Sequence, residues 1–291
     1  MPSATEILFG IGAGDDVVAV THECDFPAEA LRLPRVTSST GPELRDPAAI
    51  DRHVRAALHA GSSLYALDST LLEQLEPDVI VTQELCPVCA VSYETVANAA
   101  KRLRSDPRVV SLEPSSLDDV VATILALGEL SGRVDGARRL VERLNARVAA
   151  LRQAQRDNAE RGIVPLRTLV LEWTDPAMSA GHWIPELISL AAGAPILAHP
   201  GANSQRLDWN TIAAEDPDAI VVAPCGFDLA ATNRAIAQLD SAEYWKALRA
   251  VRRGRVLAMD GNAYMSRPGP RLVDSAEIVA EWYTTVAEYA G

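Results

Sequence analysis

The chain has 291 residues, 48% of them hydrophobic and 23% charged, an ordinary balance for a globular protein with a substantial core. A formal charge of -12 argues against a nucleic-acid or anionic-membrane partner, since either needs concentrated Lys and Arg. No stretch approaches the roughly 20 consecutive apolar residues of a membrane-spanning helix, and the length is that of two ordinary domains.

The opening segment, MPSATEILFGIGAG, has no basic region and no small-residue cleavage site. That places the chain as given in the cytoplasm; a truncated start would instead place it in the periplasm or outside the cell. Pro2 and Ser3 ahead of Thr5, Glu6, Ile7 and Leu8 predict a helix start, and Gly10 to Gly14 its end. The glycine run imitates a dinucleotide-binding loop. Such a loop follows a strand and opens a helix, whereas this one closes a helix, so no nucleotide role is expected.

Val17 to Val20 reads as a strand running into a polar turn with His22, Glu23 and Cys24. Residues 48–60 and 68–76 have helical spacing. Val79 to Thr82 is a strand whose unbroken apolar run predicts burial on both faces. Gln83, Glu84 and the pair Cys86 and Cys89 follow it, then a helix over 92–104 and a strand over 108–112. Strands alternating with helices imply a parallel sheet.

Two helices come next, over 116–131 and 134–161. The second carries Ala137, Leu140, Val141, Leu144, Val148 and Leu151 on one stripe with arginines opposite. Its length of roughly 42 Å makes it a spine between two lobes. Alternation then resumes with strands in RTLVLEW, PDAIVVAPCGF and GRVLAMDG, a helix in WIPELISLAAG, and a closing helix over 271–290. The expected division is an N-terminal α/β lobe, 1–115, a helical linker, 116–163, and a C-terminal α/β lobe, 164–291. The halves also echo each other: LLEQLEPDVIVTQ (71–83) matches TIAAEDPDAIVVA (211–223), and TEILFGIGAG matches PELISLAAGA, with Glu6 opposite Glu186.

Cys24, Cys86, Cys89 and Cys225 all follow strands, at the end where ligands bind in open parallel sheets. Several readings stay open for them. They are inert packing residues, or thiolates that, with His22, hold zinc, an iron–sulfur cluster or a corrinoid metal, or a redox pair of the strand–CxxC–helix type. A reducing compartment disfavours a structural disulfide. Catalysis is not expected, because no G-x-S-x-G elbow and no H-E-x-x-H helix occurs. The spacing of Asp25, Glu84 and His182 does not argue acid–base work.

Five segments together resemble a known family. PSATEI resembles its opening turn and THECDFPAE falls in the place of its Ser/Asp-Tyr-Pro turn. LEPDVIV is similar to its Lys-Pro-Asp strand, DPAMSAGHWIPEL to the segment that opens its second lobe, and GNAYMSRPGPRLVD to its late arginine turn. The order and spacing resemble the vitamin B12-binding branch of the helical-backbone (class III) ABC-transporter solute-binding proteins. The resemblance implies an α/β fold of two Rossmann-like lobes, parallel sheets flanked by helices, bridged by one long α-helix. It implies a non-enzymatic protein that clamps cobalamin or a related corrinoid or metal chelate between its lobes.

Carried over position by position, the ligand contacts are Cys24, Asp25, Phe26, Gln83, Glu84, Met178, His182, Trp183, Tyr264 and Arg267, with Trp209 nearby. Aromatic faces and a thioether suit a flat macrocycle. Trp173, Trp245 and Trp282 are expected in the core. An ABC permease is the implied partner, yet the positions of its docking glutamates hold Thr70 and Asn210, with Glu73 and Glu215 close by. The alternative is a cytoplasmic thiolate metal or iron–sulfur protein built on the cysteines.

Overall fold

A computed structural model describes residues 1–42, 44–60, 63–83 and 93–288. They form two compact units. One comprises Met1–Leu44, Ala49–Pro114 and Asp119–Val141; the other comprises Arg45–Ala48, Ser115–Asp118 and the chain from Glu142 onward.

In the first unit, α1 (Pro2–Gly10) opens with a proline, whose missing N–H has no partner to lose in a first turn. It closes at Ile11 and Gly12 ahead of a short 3-10 turn, Gly14–Asp16, so the glycine run does end a helix. The expected strand at 17–20 shrinks to a single parallel bridge, Val20 to Arg35. A short antiparallel ribbon of β1 (Thr37–Ser39) and β2 (Tyr65–Leu67), which sequence periodicity did not reveal, encloses α2 (Pro47–His59). Then come α3 (Ser69–Leu75), β3 (Val79–Thr82), α4 (Tyr93–Ala100) and β4 (Arg108–Ser111), with β3 and β4 parallel. Helix α4 is shorter than its periodicity suggested. Buried Leu72, Ala99 and Leu103 form one core cluster here, with Val36, Leu67 and Ile80 around them; Ile7, Ile124 and Leu127 are also fully buried in this unit.

Helices α5 (Leu117–Leu130) and α6 (Val134–Glu160) follow. The 27 residues of α6 contribute to both units, its first eight to one and the rest to the other. Its start lies tight against the end of α1: a Cβ on Gly136 would sit 2.0 Å from the Ile11 carbonyl oxygen, so only glycine fits.

The second unit contains β5 (Arg167–Thr174), β6 (Ala177–Ser179), α7 (Ile184–Leu190), β7 (Ala194–Pro195), α8 (Trp209–Glu215), β8 (Ala219–Val222), α9 (Leu229–Leu239), α10 (Glu243–Lys246), α11 (Arg249–Arg252), β9 (Val256–Ala258) and α12 (Leu272–Glu288). The sheet runs β6-β5-β8-β9, with β7 also on β5. Strands β7, β5, β8 and β9 are parallel and β6 antiparallel. Leu169, Leu171, Ile220 and Val222 pack with Ile212, Leu239 and Trp245 into a hydrophobic core.

Arg147 of α6 binds Asp274 and Glu277 of α12, the latter through Nε at 2.9 Å. That guanidinium holds the Glu277 carboxyl below its usual range. The sequence predicted burial of the apolar strand after the first Pro-Asp pair, and its echo extends that expectation to the strand after the second. Strand β8 is wholly buried, but Val79, Ile80 and Val81 of β3 are only half-buried.

Candidate ligand-binding surfaces

In the first unit a cavity of about 100 Å³ lies at the carboxyl end of β3, with Thr21, His22, Glu23, Thr37, Tyr65 and Gln83 over a floor that includes Leu72 and Ile80. His22 is the best-placed group. Its Nδ1 lies 2.7 Å from Thr37 Oγ1, which also accepts the His22 backbone N–H at 3.1 Å. Nε2 is buried without an aligned hydrogen bond, and Glu23 Oε1 sits 3.3 Å from it, off the ring axis. The Tyr65 ring lies 5.2 Å away, tilted by 44°. Holding one imidazole nitrogen fixes the ring and leaves the other to face a partner, the usual support for a metal-facing histidine.

Cys24 does not line this surface. It is fully buried, with its sulfur 3.2 Å from Thr5 Oγ1 and 3.1 Å from Thr21 Oγ1, so both the contact and metal roles expected of it are corrected to packing. Asp25 and Phe26 are exposed on the following turn, Phe26 at 45%. Glu84, Cys86 and Cys89 lie outside the described residues. Among the described residues no three His, Cys, Asp or Glu side chains converge as a metal site.

In the second unit the strand ends bring together loops far apart in sequence. After β5 and β6, Gly181 packs so closely on Ala202 to Ser204 that a Cβ would sit 2.4 Å from the Ala202 carbonyl oxygen. His182 follows in the left-handed region, φ 52°, with its backbone N–H on Ala202 O at 2.7 Å and its Nε2 3.1 Å from Asn203 Oδ1. Its ring lies 5.5 Å from that of Trp183.

Glu172, at the end of β5, accepts hydrogen bonds from Ser204 Oγ at 2.8 Å and from the Gly181 backbone N–H. Burial nevertheless pushes its carboxyl above the usual range, against those bonds and the neighbouring His182. After β8, the half-buried Cys225 donates its backbone N–H to Glu172 O at 3.1 Å. After β9, a π-type turn, Gly261–Met265, presents the half-buried Tyr264, with the Arg271 guanidinium 5.8 Å over its ring. Arg267 is buried and donates to Asn262 Oδ1 at 2.9 Å.

Two of the expected aromatic contacts also pack within the second unit. Trp183 is 5% exposed and donates its indole N–H to the Met265 carbonyl at 2.9 Å, so it fastens α7 to the turn after β9. Trp209 stacks on Tyr244 at 4.6 Å and meets Trp245 edge-on at 6.1 Å, a packing role at the start of α8. Met178 is half-buried in β6 and bridges Arg206. Trp245 is core as expected, whereas Trp173 and Trp282 are half-buried.

Sequence reasoning missed Thr37, Tyr65, Glu172, Ser204 and Asn262. Glu172 had a usable signal, an acidic residue closing an apolar strand; the others had none. Thr70 and Asn210 are exposed in the first turns of α3 and α8. Among the described residues no helix is long and apolar enough to cross a membrane.

Against known proteins, the family described as Periplasmic binding protein matches residues 1–263. A vitamin B12-binding protein of Vibrio cholerae is 23% identical over 97% of this chain and 86% of its own length. An uncharacterized ABC transporter substrate-binding lipoprotein of Bacillus subtilis is 23% identical over 97% of this chain and 77% of its own. A periplasmic heme-binding protein solved with two hemes shares the fold at a TM-score of 0.73, with 19% identity over 98% of this chain and 96% of that one. These matches overturn the expectation of a cytoplasmic protein, since the family is periplasmic and one relative is a lipoprotein. Nothing in them supports zinc or an iron–sulfur cluster.

Proposed function

The chain belongs to the periplasmic binding protein family, and from that membership we propose that it carries cobalamin or a closely related corrinoid to an ABC permease. It is a solute-binding protein and not an enzyme. The observation behind the corrinoid assignment is likeness along nearly the whole chain to vitamin B12-binding proteins, 97% of its length for the Vibrio cholerae relative.

The chemistry of the two surfaces supports this reading. In the first unit His22 offers a fixed imidazole nitrogen, beside Tyr65 and Gln83. In the second, His182, Tyr264 and the buried Arg267 supply an imidazole, an aromatic face and a cation, which suit a flat macrocycle with amide or carboxylate arms. Phe26 adds an aromatic face to the first surface and Met178 a thioether to the second. The proposed lobes are 1–115 and 164–291, joined by 116–163, and each carries one of these two surfaces. Permease docking at the exposed first turns of α3 and α8 uses Thr70, Asn210 or the neighbouring Glu73 and Glu215.

Heme is the second reading, favoured by the heme-bound structure of the same fold. Calorimetric titration with hydroxocobalamin, cobinamide and hemin separates the two. Corrinoid binding at micromolar Kd or tighter, with hemin at least tenfold weaker, is the expected result. The reverse order assigns heme, and no heat with any of the three refutes both.

A further inference from the structure

His182 sits where two loops of the second unit are bound to each other. Its backbone N–H donates to the Ala202 carbonyl at 2.7 Å, its carbonyl accepts the Gly201 N–H at 3.0 Å, and its Nε2 lies 3.1 Å from Asn203 Oδ1. The Glu172 carboxylate accepts hydrogen bonds from the Gly181 N–H and from Ser204 Oγ. Glu172 therefore ties the same two loops together, one residue before His182 and one residue after Asn203. The His182 backbone, at φ 52°, is in the left-handed region, which is unfavourable for residues other than glycine. Such strain persists only where the surroundings over-determine it, and it gathers at ligand sites.

A neutral imidazole has one N–H donor and one lone-pair acceptor. An amide oxygen can only accept, so the contact with Asn203 Oδ1 puts the proton on Nε2 and the lone pair on Nδ1. Nδ1 makes no hydrogen bond to a described residue and is not sealed from solvent. The acid beside the ring is Glu172. An anionic ligand group brought to Nδ1 meets a lone pair with a carboxyl close by, whereas an N–H donor meets a free acceptor.

We propose that His182 determines specificity for the ligand's side arms: its Nδ1 accepts a hydrogen bond from a carboxamide N–H, and Glu172 is the positioning residue that holds the imidazole to this task. The inference rests on the corrinoid reading above and sharpens it, since corrinoid arms end mostly in carboxamides whereas heme arms end in carboxylates. An arm without the N–H covers the acceptor and leaves it unpaired, and a polar group left unpaired in that way is what rejects the wrong ligand.

The test is calorimetric titration near neutral pH with dicyanocobinamide and dicyanocobyrinic acid, which share ring and axial ligands but carry amide and carboxylate arms respectively. His182→Phe keeps an aromatic ring and removes the acceptor. It should weaken cobinamide about tenfold and leave cobyrinic acid unchanged or tighter. Glu172→Ala should reproduce that selective loss, and Glu172→Gln, which keeps an acceptor for Ser204, should restore the parent's preference. Asn203→Asp, an acceptor only, leaves the ring in place and should keep the preference as well. Equal losses for both ligands in His182→Phe, no loss for either, or a loss confined to cobyrinic acid would each overturn the proposal. A preference lost in Asn203→Asp would put the proton on Nδ1 and overturn it too. Glu172→Ala behaving as the parent would remove the positioning role. Failure of the parent chain to bind cobinamide at all refutes the corrinoid reading itself, and this inference with it; binding without preference refutes the inference alone.

Discussion

The chain builds the same helix–turn–strand twice, from Asp68 to Thr82 and from Asp208 to Val222. Both helices are capped by the aspartate: Asp68 accepts the Leu71 N–H at 2.9 Å, and Asp208 accepts the Asn210 and Thr211 N–H groups at 2.8 and 3.3 Å. Both end on an acidic residue in the left-handed region, Glu76 at φ 42° and Asp216 at φ 41°, followed by Pro-Asp. Both bury one aliphatic residue at the same place, Leu72 and Ile212. The two then part: β8 is wholly buried between β5 and β9, while β3 pairs among the described residues with β4 and is largely half-buried. Short-range sequence sets caps, turns and strand direction. Burial is set by neighbours distant in sequence, so two near-identical codes yield strands of unequal worth.

The largest test of that inequality is a matched truncation. Ile220→Ala in β8 should cost about 3–4 kcal/mol, because the site is fully buried and closely packed. Ile80→Ala in β3 should cost about 1 kcal/mol. All five tryptophans, Trp173, Trp183, Trp209, Trp245 and Trp282, lie in the second unit. Denaturant melts followed by tryptophan fluorescence therefore report Ile220→Ala directly, and circular dichroism is needed to follow the first unit. Equal costs would show that the two strands are held alike.

A smaller effect distinguishes packing from binding. Trp209→Ala removes the stack on Tyr244 and should destabilise by about 1–2 kcal/mol while leaving corrinoid affinity within twofold. His22→Ala should do the opposite, with an affinity loss of tenfold or more and little change in the melt. A large affinity loss in Trp209→Ala would restore that residue to the site.

The caps should be nearly equivalent, with Asp68→Ala and Asp208→Ala each lowering the melting midpoint slightly and to a similar extent near neutral pH. For Asp208 the hydroxyl of Thr211 and the two backbone N–H groups hold the carboxyl below its usual range. Its contribution is thus present above the ordinary carboxylate range and fades as pH falls through the lowered value. Melts of Asp208→Ala and the parent chain should converge in strong acid.

The smallest effect belongs to Glu172, where the sign is opposite. Burial raises its carboxyl, so the folded state favours the protonated form and loses stability as pH climbs from the ordinary range toward the raised value. Glu172→Gln keeps an acceptor for Ser204 and should melt at or above the parent at pH 8, the gap closing near pH 4. A variant less stable than the parent at pH 8 would mean the ionised carboxylate is held by more than Ser204 and Gly181.

The sequence carried most of the fold, because apolar period, proline position and the Pro-Asp repeats act locally. The 27-residue helix, the parallel strands and the helix-ending glycine run were all legible in this way. The β1–β2 ribbon was not, since strands of three residues leave no period to read. The binding surfaces were legible only in outline. Cys24 and Trp183 stand where a contact was expected, yet the fold turns both inward, one between two threonine hydroxyls and the other on to the Met265 carbonyl. Side-chain direction at a strand end depends on loops from elsewhere in the chain, and no spacing rule encodes it. His22 was visible as a residue type, but the Thr37 hydroxyl that fixes its ring, fifteen positions away, was not.

Helix α6 has one more consequence, for how such a protein can be altered by recombination. The division between the units falls at Val141 and Glu142, inside the helix, and short pieces of the second unit, Arg45–Ala48 and Ser115–Asp118, are threaded through the sequence of the first. No single crossover exchanges one unit for that of a relative and leaves every helix intact. Chimaeras should survive only when the whole of α6 comes from one parent and the two threaded pieces travel with the second unit, so inheritance in this chain follows contacts more closely than linear order.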